Sequence, residues 1–473
     1  MKLAGLAIFI ACFSGLIVGG LFLSDLTGVI ALLEIDFADQ PSFVRADGVF
    51  LGQLASVGLP AMRLTCGARW EHRRAVRVLH YMGTNFGMTG VETFILQLVA
   101  AQKRRGFTPS IVMELSNRLE VRRIAGEHGV VVHDLPKREV VSRRVPRKVA
   151  TAMLRIRRVQ ALYALLKDND VLHIQAVGLS GLDGFVAAAL ARKPVVVTHH
   201  GTLSWFAPQR DLLAEVTFWM ERRIASRIVM PYEAALAEMT AEGVPADQSK
   251  VIPFCVDEEL FSGASMPSAE DEFTLVLVAR MVAGKGHGEC LRALAKLSPR
   301  YPKIRAVFIG DGPTRDEIEQ EIDRLGLRKI VSCKGKVDHR EVPRLLRDAK
   351  VIVLPTYEPG EMYPLCLLEG MALGLPAIGT RWSGVPDIID DEVTGIIVEP
   401  KDEDGLAWAI ERFVADPEFL ARAREKSLAR IRSRFTATIV ADSYAELYRD
   451  AIAERSHQLS SHEIRIRPPR KLS

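Results

Sequence analysis

The chain has 473 residues, about two to three times the usual single-domain length, so two packed domains are expected. Its hydrophobic share of 48% and charged share of 25% are those of an ordinary globular protein and exclude a wholly disordered chain. A net charge of +4 is small for this length and gives no reason to invoke nucleic acid. The cysteines (Cys12, Cys66, Cys255, Cys290, Cys333, Cys366) are scattered without a CxxC pair, which excludes a zinc ribbon or thioredoxin-type site and points to reduced thiols inside a cell.

The chain opens on an apolar leader, residues 1–34. Leu3 to Leu23 carries no charge and is long enough to span a hydrocarbon layer of about 30 Å. Two readings stand: a membrane anchor, or an extension upstream of the true start. No clear small-x-small cleavage site follows the run, which argues against a cleaved signal peptide. Residues 35–75 form a poorly defined linker. From there short apolar runs alternate with helical patterns. Val76 to Tyr81, Ser110 to Met113, Val130 to His133, Val171 to Ile174, Val195 to Thr198, Ile228 to Met230 and Lys250 to Ile252 read as strands, with helices such as Glu92 to Arg105 and Leu212 to Ala225 between them. A Gly-, Ser- and Pro-containing acidic stretch, Ser262 to Glu272, interrupts the alternation and reads as a linker. The alternation resumes with Thr274 to Ala279, Arg305 to Ile309, Ile330 to Cys333, Val351 to Leu354, Ala377 to Gly379 and Gly395 to Val398. Such repetition predicts an α/β fold with two Rossmann-like parallel-sheet domains, 76–265 and 266–435, facing across a cleft. An amphipathic helix from about Thr436 to Arg455, within 436–456, could return to the first domain, and 457–473 reads as a basic, disordered tail.

In parallel sheets ligands bind beyond the carboxyl ends of the strands, so residues just after strands are the candidates. Arg280 follows its strand directly and Lys285 lies in the same loop, within AGKG. The pair could be a solvated loop or could neutralise a departing diphosphate without a metal. Glu361 and Glu369 are separated by seven residues, with Pro364 suited to opening a helix between them. That puts a helix N-terminus, which attracts phosphate, between two carboxylates able to bind sugar hydroxyls. Gly310 and Gly312, in the turn FIGDGP, can bring backbone close to a base or phosphate.

VLVARMVAGKG, AVFIGDGPTRDEIEQ, VIVLPTYEPGEMYPLCLLEGMALGLPAI and the closing GIIVEP occur in order, and the chain from about 76 to 455 closely resembles the glycosyl transferases group 1 family, also called glycosyltransferase family 4. The resemblance implies a GT-B-type fold and a retaining, metal-independent sugar transfer from a nucleotide sugar. It implies Arg280 and Lys285 at the donor diphosphate, Glu361 at the donor sugar and Glu369 at the ribose. GMTGVE resembles the family's Gly-Gly-x-Glu loop, giving Gly90 a place near the donor phosphates. Thr198-His199-His200-Gly201 matches a T-x-H-G pattern, selecting His200 over its neighbour His199 as the residue near the reacting sugar; His173 and Gln175 are weaker candidates. The chain departs from the pattern where Pro364 replaces Gly, Gly370 replaces Ala, and Phe254-Cys255 replaces Asn-Gly in the turn before Asp257, itself read as structural.

Asp168-Asn-Asp170 has the look of a metal-binding pair, but it precedes its strand, at the end away from the cleft, and reads as a turn; no metal and no cofactor are expected. Between Lys137 and Arg158 lie nine basic residues with Glu139 the only acid: Lys137, Arg138, Arg143, Arg144, Arg147, Lys148, Arg155, Arg157 and Arg158. They form a solvated face or a contact with an anionic membrane surface. The partners expected are thus a nucleotide sugar, a glycan or lipid-linked acceptor and that surface. The expected role is assembly of a cell-surface polysaccharide, lipopolysaccharide or glycolipid at the cytoplasmic, inner face of a membrane. The rivals are a non-catalytic sugar-nucleotide-binding component of a polysaccharide-assembly complex, and an epimerase or phosphorylase on the same fold. No GxGxxG follows the first strand, which argues against a dinucleotide oxidoreductase.

Overall fold

The computed structural model describes residues 75–82, 90–114, 119–136, 147–176, 181–201, 212–263 and 272–465. The expected strands all form, each within a few residues of its apolar run. The first domain holds β1 (Arg77–Met82), β2 (Thr108–Glu114), β3 (Val131–Leu135), β4 (Val171–Ala176), β5 (Val195–His199), β6 (Arg227–Met230) and β7 (Ser249–Val251). Between them run α1 (Gly90–Arg104), α2 (Leu119–Glu127), α3 (Arg147–Lys167), α4 (Leu182–Ala191), α5 (Leu212–Ile224) and α6 (Glu233–Ala241). The second domain holds β8 (Phe273–Val278), β9 (Ile304–Ile309), β10 (Val331–Cys333), β11 (Val351–Leu354), β12 (Ala377–Thr380) and β13 (Gly395–Val398). Its helices are α7 (His287–Leu297), α8 (Arg315–Arg324), α9 (Val342–Leu346), α10 (Leu365–Ala372), α11 (Val385–Ile388), α12 (Glu403–Ala415) and α13 (Pro417–Arg434), and the chain ends on α14 (Ala437–Arg465).

Both sheets are parallel, ordered β3-β2-β1-β4-β5-β6-β7 and β10-β9-β8-β11-β12-β13. The strand order reverses once in each, between β1 and β4 and between β8 and β11, and at such switch points the loops part to open a crevice. Central strands are covered by helices on both faces, so apolar residues run along them without alternation: Val171, Leu172, Ile174, Val195, Val196 and Val197 are all fully buried, and so are the polar His173, Gln175 and Thr198.

The helix α14 begins in the second domain and lies against the first. Glu258 accepts hydrogen bonds from the amides of Ala437 (2.9 Å) and Thr438 (3.2 Å), serving as a remote N-cap, and a short bridge joins Val256 to Thr436. Tyr444 and Tyr448, one turn apart, are buried against the first sheet. The helix runs ten residues past Arg455, where the apolar pattern ends, so the expected tail begins as helix and residues 466–473 lie outside the described set. Among the described residues no helix is long and apolar enough to cross a membrane. The leader 1–34 and linker 35–75 lie outside that set except for the linker's last residue, Ala75.

The three loops after β8, β9 and β10 are tied together: Met281 N–H donates to Asp311 O (3.0 Å) and Gly310 N–H to Gly335 O (2.9 Å). Gly310 has φ +140°, and a Cβ there would lie 1.9 Å from the Ala279 carbonyl oxygen; one on Gly312 would lie 2.2 Å from that of Met281. Gly310→Ala should therefore cost at least about 2 kcal/mol, since strained backbone alone costs about 1–3 kcal/mol. Gly326, at φ +68° with open space around it, should lose only about 1 kcal/mol on the same change. Urea midpoints at constant slope measure the difference, and equal losses would overturn the packing argument.

Candidate active site at the cleft

The second domain brings a lysine and two carboxylates together by pressing two loops against each other. The loop after β8 carries Gly284 (φ +88°) and Gly286 (φ +81°) on either side of Lys285. A Cβ on Gly284 would sit 2.9 Å from Glu358 Cα, and one on Gly286 would sit 2.3 Å from the Pro355 carbonyl oxygen. Only glycine permits both the φ and the approach. The result seats Lys285 Nζ 2.5 Å from Glu361 and 3.0 Å from Glu358, with the lysine and Glu361 side chains only 13% and 14% exposed. Burial pulls the ammonium's pKa down, but the carboxylates of Glu361 and Glu358 outweigh it and hold the pKa above the ordinary lysine value. Glu358 was missed in the sequence because its contact with Lys285 depends on how the two loops pack. Arg280, after the same strand, is exposed, with no ion pair among the described residues.

Pro364 is extended (φ −71°, ψ 108°) and serves as the N-cap of α10, so Glu361 lies in the loop and Glu369 inside the helix, as expected. Across the cleft Gly90 opens α1, and a Cβ built on it would lie 3.9 Å from Leu365 Cδ1, the first residue of α10. Two helix N-termini thus converge from the two domains, both favouring an anion between them. The other residues of that loop, Gly87 to Thr89, lie outside the described residues. Gly310 and Gly312 sit at the adjoining strand ends, but the close approach that requires glycine there is to the chain's own loop.

Glu369 is buried and accepts a hydrogen bond from His339 Nε2 at 2.8 Å. Burial disfavours the imidazolium, but Glu369 outweighs it, so the His339 pKa lies above the ordinary histidine value. His339 was another miss, carried on a short 3-10 turn with no motif of its own.

In the first domain the two adjacent histidines part company. His199 Nε2 pairs with Glu221 Oε1 (2.5 Å) on α5, both buried, and is structural. His200 is buried, with Nε2 hydrogen-bonded to Gln175 Oε1 at 2.8 Å and Nδ1 without a partner among the described residues. Burial, and secondarily His199, push its pKa down to about 3, so the ring is neutral and can offer a lone pair to a hydroxyl. Phe254 lies against His200 (ring centroids 5.1 Å) and against Tyr363 (5.6 Å), two residues beyond Glu361. His200 and the Glu361 loop therefore share one apolar floor. Cys255 has no positive φ and, like Phe254, is buried, so the departure from Asn-Gly is absorbed as packing. Asp257 accepts from the amides of Glu259 and Leu260, a turn as expected. Tyr232 and Ser383 close one side with a hydrogen bond of 3.0 Å between the domains.

Asp168 and Asp170 lie at the amino-terminal end of β4, where Asp170 accepts from Arg77 N–H (2.8 Å) and the Asp168 carbonyl from Arg77 Nη1 (2.8 Å), which is a turn facing away from the site. In the basic stretch Arg158 pairs with Glu114 (2.5 Å) and Arg155 with Asp183 (3.7 Å), so these two cations are engaged within the domain. Residues 137–146 and the side chains of Arg147 and Lys148 lie outside the described residues.

Two parallel α/β sheets of this order, one in each domain, make up a GT-B-type fold. Two family models match in tandem: Glycosyltransferase Family 4 over residues 88–260 and Glycosyl transferases group 1 over residues 262–430. The chain belongs to the glycosyl transferases group 1 family. It is 26% identical to the alpha-D-kanosaminyltransferase of Streptomyces kanamyceticus, over 59% of this chain and 76% of the relative. It is also 26% identical to a glycogen synthase of Mycobacterium tuberculosis, over 56% of this chain and 59% of that relative. With an uncharacterised glycosyltransferase of Methanocaldococcus jannaschii it shares 33% identity over 34% of this chain, spanning only 40% of that relative. Among solved structures, Anabaena HepE in complex with UDP superimposes with a TM-score of 0.66 at 20% identity, over 80% of this chain and all of that one. The sucrose-phosphate synthase of Thermosynechococcus elongatus gives 0.62 at 22% identity, over 80% and 100%.

The His339–Glu369 pair predicts a signed pH effect. A raised imidazole pKa contributes stability that is fully present below the ordinary value of about 6.5 and is lost as pH rises through the folded value. The stability gap between wild type and His339→Asn should thus shrink as pH rises above the ordinary histidine value of about 6.5, measured by urea melts. A gap that widens with pH would refute the pairing.

Proposed function

We propose that this chain transfers a sugar from a nucleoside-diphosphate sugar to an acceptor hydroxyl with retention of anomeric configuration and without a metal. The observation that carries the proposal is the buried clasp of Lys285 by Glu358 and Glu361, next to the converging starts of α1 and α10. Lys285, with Arg280 beside it, would face the diphosphate, and Glu361 the donor sugar. Glu369 would hold the ribose, with Gly310 and Gly312 beside the base, and His200 Nδ1 would accept from a sugar hydroxyl. The acceptor oxygen bonds to the anomeric carbon as the carbon–phosphate oxygen bond breaks on the same face, and the acceptor's proton passes to the leaving phosphate oxygen. The two cations take up the charge that a divalent ion would otherwise compensate. HepE, solved in complex with UDP and glucose, supports a nucleotide-sugar donor.

The acceptor we infer is a glycan or a lipid-linked glycan at the inner face of a membrane, in cell-surface polysaccharide, lipopolysaccharide or glycolipid assembly. An anionic-surface contact would fall to the part of the basic stretch before Arg155, since Arg155 and Arg158 are engaged with Asp183 and Glu114.

A thermal-shift panel of nucleotide sugars identifies the donor, because a ligand of the folded state raises the melting temperature. With that donor, Lys285→Ala should lower turnover by about 10²- to 10³-fold, the usual loss for one preorganised charge, while the protein stays folded. Activity should survive chelation of divalent ions, and the product should keep the donor's anomeric configuration by proton NMR. Wild-type turnover in folded Lys285→Ala, or an inverted product, would reject the reading.

A further inference from the structure

The polar side chains beneath His200 form one continuous relay that ends on the last helix. His200 Nε2 donates to Gln175 Oε1 (2.8 Å), and Gln175 Nε2 donates to His80 Nδ1 (3.1 Å). His80 Nε2 donates to Gln102 Oε1 (2.9 Å), and Gln102 Nε2 donates to the Tyr448 hydroxyl oxygen (3.1 Å). The Tyr448 hydroxyl donates to His173 Nδ1 (2.7 Å), and His173 Nε2 donates to Thr198 Oγ1 (2.7 Å). Thr198 in turn lies 2.8 Å from the Tyr444 hydroxyl. Every member is buried. His80 and His173 each use one ring nitrogen as donor and one as acceptor, and Gln175 Nε2 also lies 3.3 Å from both His173 nitrogens, which closes the relay on itself. The relay can therefore run in only one of two directions, and reversing it requires both amides and the Tyr448 hydroxyl to turn together.

We propose that Tyr448 and Gln102, acting through His80 and Gln175, hold His200 as its Nε2–H tautomer and so keep the buried Nδ1 unprotonated, as an acceptor for a sugar hydroxyl. These four are positioning residues. The idea rests on the proposed role of His200 at the sugar, but the tautomer itself is a property of the free protein. It gives α14 a part in the site beyond packing: the helix that clamps the domains together also supplies the hydroxyl that couples Gln102 to His173. The neutral state this needs is independently favoured, since burial pushes the His80 pKa down to about 4 and that of His173 well below its ordinary value.

Tyr444 provides the control. It lies one turn from Tyr448 on the same helix, is equally buried, and contributes one hydroxyl at the relay's far end. A merely structural role of α14 predicts like effects from removing either hydroxyl; the relay predicts unlike ones.

The experiment is long-range ¹⁵N–¹H NMR of the full chain with labelled histidine, recorded on wild type, Tyr448→Phe and Tyr444→Phe, alongside kinetics with the donor found by thermal shift. In wild type His80, His173 and His200 should all be neutral Nε2–H tautomers. Tyr448→Phe should populate Nδ1–H at His200 and lower kcat/KM on the order of fivefold, the worth of one hydrogen bond of about 1 kcal/mol. Its affinity for UDP and GDP should be unchanged, and Tyr444→Phe should leave the His200 tautomer and kcat/KM as in wild type. Should Tyr448→Phe not fold, Gln175→Met cuts the relay beside His200 and should give the same mixture of tautomers. An Nδ1–H or charged His200 in wild type overturns the proposal, as does a His200 spectrum indifferent to Tyr448 or equally sensitive to Tyr444. If the tautomer responds and turnover does not, the relay stands and the placing of the sugar on His200 fails.

Discussion

A buried hydroxyl must find a hydrogen-bond partner, and the two tyrosines of α14 find theirs on the first sheet. Tyr448 bonds to Gln102 on α1 and His173 on β4, and Tyr444 to Thr198 on β5, so one helix face closes over three elements of the first domain. The same helix starts in the second domain, held by Glu258 and by the bridge between Val256 and Thr436. Removing α14 would open the apolar core and also leave a row of imidazoles and amides unsatisfied. Gln102 and His173 connect through Gln175 to His200 at the end of β5, so the first half of the cleft is complete only when the last helix is in place.

The two halves of the cleft meet the cost of burial differently. The first keeps His80, His173 and His200 neutral and hydrogen-bonds them to amides and hydroxyls; its nearby carboxylate, Glu221, is taken by His199. The second keeps its charges but sets them against each other, Lys285 between Glu358 and Glu361, and His339 against Glu369. A neutral relay ending in a lone pair suits hydroxyls. On the proposed reading, a held ammonium and the exposed Arg280 of the same loop suit phosphate. The asymmetry follows from which residues stand at each switch point, because the sheets themselves are alike.

The architecture was legible because strands buried on both faces are mostly apolar, and such runs show even where His80, His173, Gln175 and Thr198 interrupt them. The motif residues were legible for a related reason: Lys285, Glu361, Glu369 and His200 each stand just beyond such a run or in the helix that follows, where a parallel sheet has its openings. Glu358 and His339 were not. Nothing within their own segments marks them; Glu358 meets Lys285 only because Gly284 and Gly286 let two distant loops touch, and His339 reaches Glu369 from a turn 30 residues earlier. The relay is further still from view, since Tyr448 and His173 are 275 residues apart and periodicity records nothing of such pairings. The last turns of α14 escaped for the opposite reason: from Ala453 to Leu459 the helix buries no apolar residue, so the pattern stops there.

The departures from the family pattern test whether this site is degenerate, and packing answers for two of them. Phe254 stacks on Phe94 at 4.5 Å and supports His200, while Cys255 is fully buried, so the pair replaces a flexible turn by a rigid apolar floor. Pro364 removes an amide at the N-cap of α10, one of the four donors that a helix start leaves unpaired. Leu367 N–H turns back to the Pro364 carbonyl at 3.2 Å, so Leu365 and Cys366 supply the remaining donors. An anion there would meet fewer amides than at a glycine-capped helix, which shifts weight onto the cations. That is the arrangement in which Arg280 stands exposed and Lys285 is held at hand by two carboxylates. On the proposed reading, loss of a backbone donor and retention of both cations belong to one site, in which side-chain charge does more of the work usually shared with the helix.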